Sequence, residues 1–109
     1  IDFVAGVSRG GLIPAALVAT RLDKPLVAIY IDRKDRVYLD RKKWLRGKRV
    51  LLVDDIVRTG ATLGKMIALL KQSGVRAVQS FTLFCLQGAR VRPTWTTEIH
   101  HDKKMPWDF

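Results

Sequence analysis

The chain has 109 residues, which is enough for one compact domain and too few for two. Hydrophobic residues make up 48% of it, so it can bury a core, and no run of 18 or more apolar residues is present to cross a membrane. The formal net charge of +10 favours a polyanionic partner, either nucleic acid or a small ligand with several phosphates.

The cysteine content and the first residues bear on cellular location. A single cysteine, Cys85, excludes a disulfide framework within the chain and is expected to be a buried thiol. The first residues, IDFVAGVSRGG, lack the basic-then-apolar pattern of a signal peptide. These features predict a cytoplasmic protein. The sequence also starts directly in a strand-like run, which suggests a short form or a fragment.

The first third of the chain predicts a strand, a helix and a second strand. Residues 2–7 form a buried apolar run that SRGG interrupts. A helix is predicted over residues 12–22, where Pro14 is tolerated in the first turn because its missing N–H has no partner there. Pro25 prevents the helix from continuing, and residues 26–31 form a second continuous apolar run.

A strongly basic segment follows. Between positions 32 and 49 there are nine basic and three acidic residues, and residues 37–39 are predicted to be an exposed strand or hairpin arm. The basic residues are Arg33, Lys34, Arg36, Arg41, Lys42, Lys43, Arg46, Lys48 and Arg49. They form either a solvated face or a surface for an anion.

The remaining elements repeat the strand and helix pattern. A third buried strand is predicted over residues 49–55, a helix over 61–73 with Gly74 as its C-terminal stop, and a fourth strand over 77–86. Residues after Gln87 lack periodicity and are predicted to be irregular. Strands that are apolar on both faces and alternate with helices predict an α/β fold, a mostly parallel sheet flanked by helices.

In such sheets ligands bind beyond the carboxyl ends of the strands, and this rule selects the segment DDIVRTGAT after the third strand. Asp54 and Asp55 lie at the predicted strand end, where carboxylates accept hydrogen bonds from vicinal sugar hydroxyls or approach Mg²⁺. The next residues lead into a helix N-terminus, whose free N–H groups favour an anion; they are Arg58, Thr59, Gly60, Ala61 and Thr62. A diol site beside a phosphate site suits a ribose phosphate. The alternative is an ordinary strand-to-helix connection with capping residues.

The segment SRGG after the first strand is a second candidate site. Arg9 offers a planar cation for phosphate, and the glycines give the backbone conformational freedom. The segment consists of Ser8, Arg9, Gly10 and Gly11, and it also precedes a helix N-terminus. Together with DDIVRTGAT it predicts two phosphate sites on one edge of the sheet.

These segments match a known family. VLLVDDIVRTGAT resembles the phosphoribosyl pyrophosphate motif of type I phosphoribosyltransferases: an apolar run, two acidic residues, two spacers, a variable residue and Thr-Gly-x-Thr. VSRGGLIPA resembles the pyrophosphate loop of the xanthine and xanthine-guanine members, and MPWDF resembles their Pro-Trp-Asp ending. The resemblance covers residues 2 to about 86, and more loosely those beyond.

The resemblance implies transfer of a phosphoribosyl group from phosphoribosyl pyrophosphate to a nucleobase, expected to be a purine, with Mg²⁺ as cofactor. Asp54 and Asp55 would bind the ribose hydroxyls directly or through Mg²⁺, and residues 58–62 would hold the ribose phosphate. Residues 8–11 would hold pyrophosphate. Arg9, which would stabilise the leaving pyrophosphate, and the two aspartates would be the catalytic residues. Residues 32–47 would form a mobile catalytic loop, and residues 87–109 an irregular hood over the base. A homo-oligomer, either a dimer or a tetramer, is also implied.

The sequence departs from that family at the base site. Arg58 stands where the oxopurine enzymes usually have Asp, and a cation cannot serve as a general base. The lysine that contacts the purine in those enzymes is replaced at position 86 or 87, where Gln87 is the candidate base contact. The aromatic residue that stacks on the purine is replaced near Lys103 and Lys104, and Trp95 or Trp107 is the candidate substitute. Trp107 is expected to pack, and the adjacent His100 and His101 to lie on the surface.

These departures leave a second function open. A protein that senses phosphoribosyl pyrophosphate, or that binds nucleic acid, would keep the motif without the transfer chemistry. The net charge and Arg58 favour that alternative, whereas the paired aspartates and SRGG favour the enzyme. Nucleic acid is therefore a possible partner but not the favoured one, and no membrane partner is expected.

Overall fold

The computed structural model describes residues 1–34 and 36–108, and within them the chain forms one six-stranded sheet with two α-helices. The elements in chain order are β1 Phe3–Val7, α1 Leu12–Leu22, β2 Leu26–Ile31, β3 Val37–Leu39, a 3₁₀ turn Lys42–Leu45, β4 Arg49–Val57, α2 Ala61–Gln72, β5 Ala77–Leu86 and β6 Trp95–Ile99. No helix of the described residues is long and apolar enough to cross a membrane.

The sheet has the strand order β3-β2-β1-β4-β5-β6 and is parallel except at one edge. β3 pairs antiparallel with β2, with Tyr30 opposite Tyr38. β1 and β4 occupy the centre, so the turns after them lie side by side at the carboxyl edge. This architecture confirms the predicted α/β fold with a mostly parallel sheet flanked by helices.

The two helices cover opposite faces of the sheet. Along β4, Leu52 belongs to the core under α2, which also includes Met66, whereas Val53 belongs to the core under α1, which also includes Ala15. Adjacent strand residues point to opposite faces, so a strand that is apolar throughout is buried on both. Gly6 allows α1 to approach closely, because a Cβ atom there would lie 2.6 Å from Cβ of Ala15.

Several element boundaries differ from the prediction. β1 and α2 are each one residue shorter than predicted, whereas α1, β2 and β5 have the predicted bounds. β4 continues to Val57 instead of ending at Asp55, because Ile56 and Val57 pair with Phe84 and Cys85. The two aspartates therefore lie within the strand and not at its end.

The segments outside the regular pattern are more structured than predicted. The edge strand Val37–Leu39 is confirmed, and the 3₁₀ turn that follows it was not predicted. Residues 95–99, which were predicted to be irregular, form β6, which pairs parallel to β5. The mobility of residues 32–47 and the base-covering role of residues 87–109 remain predictions, and Asp35 and Phe109 within them lie outside the described residues.

Candidate functional site

The carboxyl edge of the sheet contains a cleft of about 460 Å³. It is formed by the ends of β1, β2 and β4 and by the start of α2. Its lining includes most of the residues singled out from the sequence, namely Ser8, Gly10, Asp54, Asp55, Arg58, Thr59, Gly60 and Thr62. The structure thus brings DDIVRTGAT and SRGG together at one site.

The two carboxylates of the cleft are oriented by main-chain donors. The N–H of Asp55 donates to Oδ1 of Asp54 over 2.8 Å, and the N–H of Ile56 donates to Oδ1 of Asp55 over 2.7 Å. Both side chains are half-buried. Each carboxylate therefore has one oxygen held by the backbone, and lone pairs remain to accept hydrogen bonds from ligand hydroxyls.

Burial raises the pKa of Asp54, one acid of this pair. Loss of solvation, which is the largest cause, and the neighbouring Asp55 carboxyl group together raise the pKa of Asp54 from 3.8 to about 8, against the opposing effect of the Asp55 N–H. Without a ligand Asp54 therefore retains its proton near pH 7, and a cation bound beside the pair would favour its ionised form. Perturbed carboxyl groups in clefts are common at functional sites, which supports a ligand-binding role for the pair.

The Thr-Gly-Ala-Thr loop is shaped by Gly60, which caps the N-terminus of α2 with φ +92°. Residue 91 lies directly against it, because a Cβ atom on Gly60 would lie 2.6 Å from the N atom of Val91. Thr59 accepts a hydrogen bond at its carbonyl from the N–H of Arg90 and another at its hydroxyl from the N–H of Ala61. The N-terminus of α2 therefore faces the cleft. Arg90 and Val91, which precede β6, contact the loop.

The SRGG loop connects β1 to α1, and its glycines allow close contacts with β4. A Cβ atom on Gly11 would lie 2.8 Å from the carbonyl oxygens of Val7 and Val53. A Cβ atom on Gly10 would overlap Oδ2 of Asp55. Arg9 is exposed and, with Gly10, Ile13, Trp107 and Asp108, lines a second cleft of about 510 Å³. Gly10 lines both clefts, which makes them neighbours.

Arg58 is paired with an acid from the C-terminal segment. Its Nε lies 2.9 Å from Oδ2 and 3.1 Å from Oδ1 of Asp102. That pairing raises the pKa of Arg58 and lowers the pKa of Asp102. Arg58 also lines a third cleft of about 420 Å³ together with Asp102, Lys103, Lys104 and Asp108. Arg58 is a permanent hydrogen-bond donor at this site and cannot remove a proton from a ligand.

The two candidate base contacts occupy different places. Gln87 directly follows the carboxyl end of β5, where its Oε1 lies 2.6 Å from Nδ1 of His100. Trp95 begins β6 and pairs with Phe81, five positions before the end of β5. The structure therefore places Gln87 at the ligand edge of the sheet and does not bring Trp95 there. His100 and His101 are exposed, as predicted.

Sequence reasoning missed the contact that Trp107 makes, since packing was its favoured role and stacking on the base was the alternative. Its indole Nε1 lies 3.4 Å from Oδ2 of Asp55. The contact joins residues 52 positions apart, so no local pattern indicates it.

The donor set suits a metal ion only if a ligand brings further oxygens. Among the described residues there is no group of three or more His, Cys, Asp or Glu side chains that could hold a metal ion. Asp54 and Asp55 supply hard oxygens at the cleft. Mg²⁺ is commonly held by one or two carboxylates together with substrate phosphates and water, and this pair fits such an ion.

The fold and the site define an α/β protein with two glycine-containing loops and a pair of acids at the carboxyl edge of its sheet. A family model for the phosphoribosyl transferase domain matches residues 1–109, and the chain belongs to this family. This finding confirms the resemblance identified from the sequence.

Among curated proteins, the chain is similar to orotate phosphoribosyltransferase of Sulfurisphaera tokodaii, with 30% identity over 75% of this chain and 43% of that protein. It is also similar to orotate phosphoribosyltransferase 2 of Mesorhizobium japonicum, with 39% identity over 72% of this chain and 40% of that protein. The chain spans about two fifths of the length of these relatives.

Among solved structures, the chain is similar to a purine phosphoribosyltransferase from Pyrococcus horikoshii, with a TM-score of 0.78 and 33% identity. That match covers 89% of this chain and 68% of the other. A hypoxanthine phosphoribosyltransferase from Staphylococcus aureus has the same fold, with a TM-score of 0.78, 19% identity, and 94% and 64% of the two chains covered.

Proposed function

We propose that the protein transfers a phosphoribosyl group from phosphoribosyl pyrophosphate to a ring nitrogen of a nucleobase and releases pyrophosphate. The observation that carries this proposal is that one cleft is lined by the acid pair and by residues of both loops, namely Asp54, Asp55, Thr59, Gly60, Thr62, Ser8 and Gly10. Membership of the phosphoribosyl transferase family supports it.

Each part of the cleft has a task in that reaction. The N-terminus of α2 with Thr59 and Thr62 binds the ribose phosphate, and the carboxylates of Asp54 and Asp55 accept hydrogen bonds from the ribose hydroxyls. Ser8, Arg9, Gly10 and Gly11 bind the pyrophosphate group, where Arg9 stabilises the negative charge that develops on departure. The anomeric carbon loses its bond to pyrophosphate oxygen and gains one to the ring nitrogen, which gives up its proton. Holding donor and base in line supplies much of the rate.

Mg²⁺ is part of the proposal, with Asp54 and Asp55 as its protein ligands, directly or through water and substrate. The ion would supply positive charge to the donor's phosphates. The pair of hard oxygens in the cleft supports this assignment.

For the base, we propose a purine as the first candidate. The likeness to the Pyrococcus horikoshii purine phosphoribosyltransferase supports it, with 33% identity over 89% of this chain. Orotate is the second candidate, which the curated relatives support. The third cleft supports orotate on physical grounds, because its three cations outnumber its two acids, Asp102 and Asp108, and a net positive charge attracts a carboxylate.

The alternative function is a protein that binds the donor without transferring its sugar. Arg58 favours it, since a permanent cation lines the site and cannot accept the proton that the base loses. The net charge of +10 favours a nucleic-acid-binding version of the same alternative.

A transfer assay separates these functions. The full chain is incubated with phosphoribosyl pyrophosphate, Mg²⁺ and a panel of hypoxanthine, guanine, xanthine, adenine, orotate and uracil, and nucleotide and pyrophosphate are quantified. We expect product with at least one purine or with orotate. Saturable donor binding without product from any base would contradict the enzyme and favour the sensor. Salt-sensitive RNA binding that survives both Asp54→Ala and Asp55→Ala would favour the nucleic-acid function.

The proposal includes assembly into a homo-oligomer, either a dimer or a tetramer. Sedimentation velocity of the 12.4 kDa chain tests it, with a mass of two or four chains as the expected result. A single-chain mass at all concentrations would contradict it.

A further inference from the structure

We propose that Trp107 is a positioning residue whose indole N–H holds the Asp55 carboxylate in the orientation that faces a bound ligand. The contact itself stands on the geometry alone. Its effect on ligand binding rests on the proposed function, since the ligand that Asp55 would meet is the ribose of the donor.

Both oxygens of Asp55 have a donor from the protein. Oδ1 accepts the N–H of Ile56 over 2.7 Å, and Oδ2 accepts Nε1–H of Trp107 over 3.4 Å. A carboxylate held at one oxygen still rotates about its side-chain bonds, whereas one held at both oxygens has a fixed plane. The remaining lone pairs of Asp55 then point in fixed directions, as recognition of two hydroxyl groups requires.

Residues 105–108 form a turn that positions the Trp107 indole beside Asp55. Met105 is 5% exposed and anchors the segment in the protein. Its N–H donates to Oδ2 of Asp108 over 2.7 Å, and the N–H of Asp108 donates to the carbonyl of Met105 over 3.0 Å. This reciprocal pair closes a tight turn, so Trp107 is carried by a fixed turn.

Gly10 shows how closely three segments meet at Asp55. A Cβ atom there would overlap Oδ2 of Asp55, lie 3.0 Å from its Cγ and lie 3.4 Å from Nε1 of Trp107. The SRGG loop, the acid pair and the C-terminal turn are thus in mutual contact. Trp107 also lines the second cleft with Arg9, so a ligand that fills both clefts would lie against its ring.

A purely packing role for Trp107 makes a different prediction. Packing needs the ring and not the N–H group, so phenylalanine would serve nearly as well. The positioning role needs the donor, and Trp107→Phe removes the donor while keeping an aromatic ring of similar shape. The two roles are therefore separable in one variant.

The first test is independent of any ligand and uses the three tryptophan indole N–H signals in a ¹⁵N NMR spectrum. Single Trp→Phe variants assign the signals. Asp55→Asn replaces the anionic acceptor by a neutral amide of the same size, and we expect the Trp107 signal to shift while those of Trp44 and Trp95 stay in place. An unchanged Trp107 signal in folded Asp55→Asn protein would overturn the proposal.

The second test measures binding of phosphoribosyl pyrophosphate with Mg²⁺ by calorimetry. We expect Trp107→Phe to weaken binding about five- to tenfold, the effect of losing one hydrogen bond of ordinary strength, with the melting temperature nearly unchanged. Tyr30→Phe, which changes an exposed ring elsewhere on the sheet, serves as the matched control and should bind like the wild type.

The outcomes keep the two proposals apart. Wild-type affinity in Trp107→Phe would overturn the positioning role. If the wild-type protein itself fails to bind the donor, the proposed function fails, and the NMR result alone decides whether Trp107 holds Asp55.

Discussion

Substitution of Gly60 by alanine provides a quantitative test of how the phosphate loop is built. Gly60 has φ +92°, and an L-residue held there costs about 1–2 kcal/mol. The added Cβ would also lie 2.6 Å from the N atom of Val91, and forcing such a contact costs about 1–3 kcal/mol more. Together these effects predict a loss of about 2–5 kcal/mol of unfolding free energy, or about 10–25 °C in melting temperature.

Two other glycines separate the two contributions. Gly47 has φ +74° with nothing within 4 Å of an added Cβ, so Gly47→Ala should show the conformational cost alone, about 1–2 kcal/mol. Gly64 lies in α2, and a Cβ there would make an ordinary 3.5 Å contact with Val91. Gly64→Ala should therefore stabilise the protein by about 0.5–1 kcal/mol, the usual gain in a helix.

Urea denaturation and thermal melting of the three variants measure these differences. The expected order of stability is Gly64→Ala above wild type, then Gly47→Ala, then Gly60→Ala. If Gly60→Ala is no less stable than Gly47→Ala, residue 91 does not pack against the loop, and the account of how the loop is supported would be wrong.

Four further predictions concern the acids and cations of the site. Between pH 3.8 and about 8 the folded chain retains a proton on Asp54 that the unfolded chain releases. The free energy of unfolding of the wild type should therefore fall as pH rises through that window, by up to about 1.4 kcal/mol per pH unit. Asp54→Asn should lose this slope in urea titrations at several pH values, and equal slopes would refute the burial argument. Gly10→Ala should fold normally, because Gly10 is not among the residues with positive φ. The variant should nevertheless bind phosphoribosyl pyrophosphate at least about tenfold more weakly, since the added Cβ displaces the Asp55 carboxylate. Asp54→Ala or Asp55→Ala should lower phosphoribosyl transfer by about a hundredfold with the fold intact by circular dichroism; unfolding of both variants would instead assign the pair a structural role. Arg58→Gln should raise the pKa of Asp102 towards its ordinary value, as followed by carboxyl NMR, and an unchanged pKa would mean that the pairing is absent in solution.

The elements predicted correctly from the sequence are those whose signal is local. α1 carries Pro14 in its first turn and stops before Pro25, and β5 is a mostly apolar segment that follows the helix stop at Gly74, so local chemistry defines both. The parallel pairing of most strands follows from the same pattern, because alternating strands and helices favour it.

The errors occurred where pairing between strands decides the outcome. β4 runs past its two aspartates because β5 offers partners to Ile56 and Val57, although charged residues usually end a buried strand. β6 is mostly exposed and lacks an apolar pattern, so only its position beside β5 makes it a strand. Edge strands of this kind carry little sequence signal.

The candidate site divides in the same way. Asp54, Asp55 and the loop at residues 59–62 were identified because chain neighbours supply both the chemistry and the turn. The contacts of Arg58 with Asp102 and of Asp55 with Trp107 join residues 44 and 52 positions apart. Such contacts depend on where the C-terminal segment returns to the sheet edge, and one sequence without a structure does not contain that information.

The central claim is that one cleft binds a sugar diol together with its phosphate groups. Calorimetric titration of the full chain with phosphoribosyl pyrophosphate and Mg²⁺ tests it most directly. We predict saturable binding of one donor per chain, strongly weakened by Asp55→Ala and retained by Tyr30→Phe. No binding heat at any temperature from a folded wild-type protein, or equal binding by folded Asp55→Ala, would contradict the account.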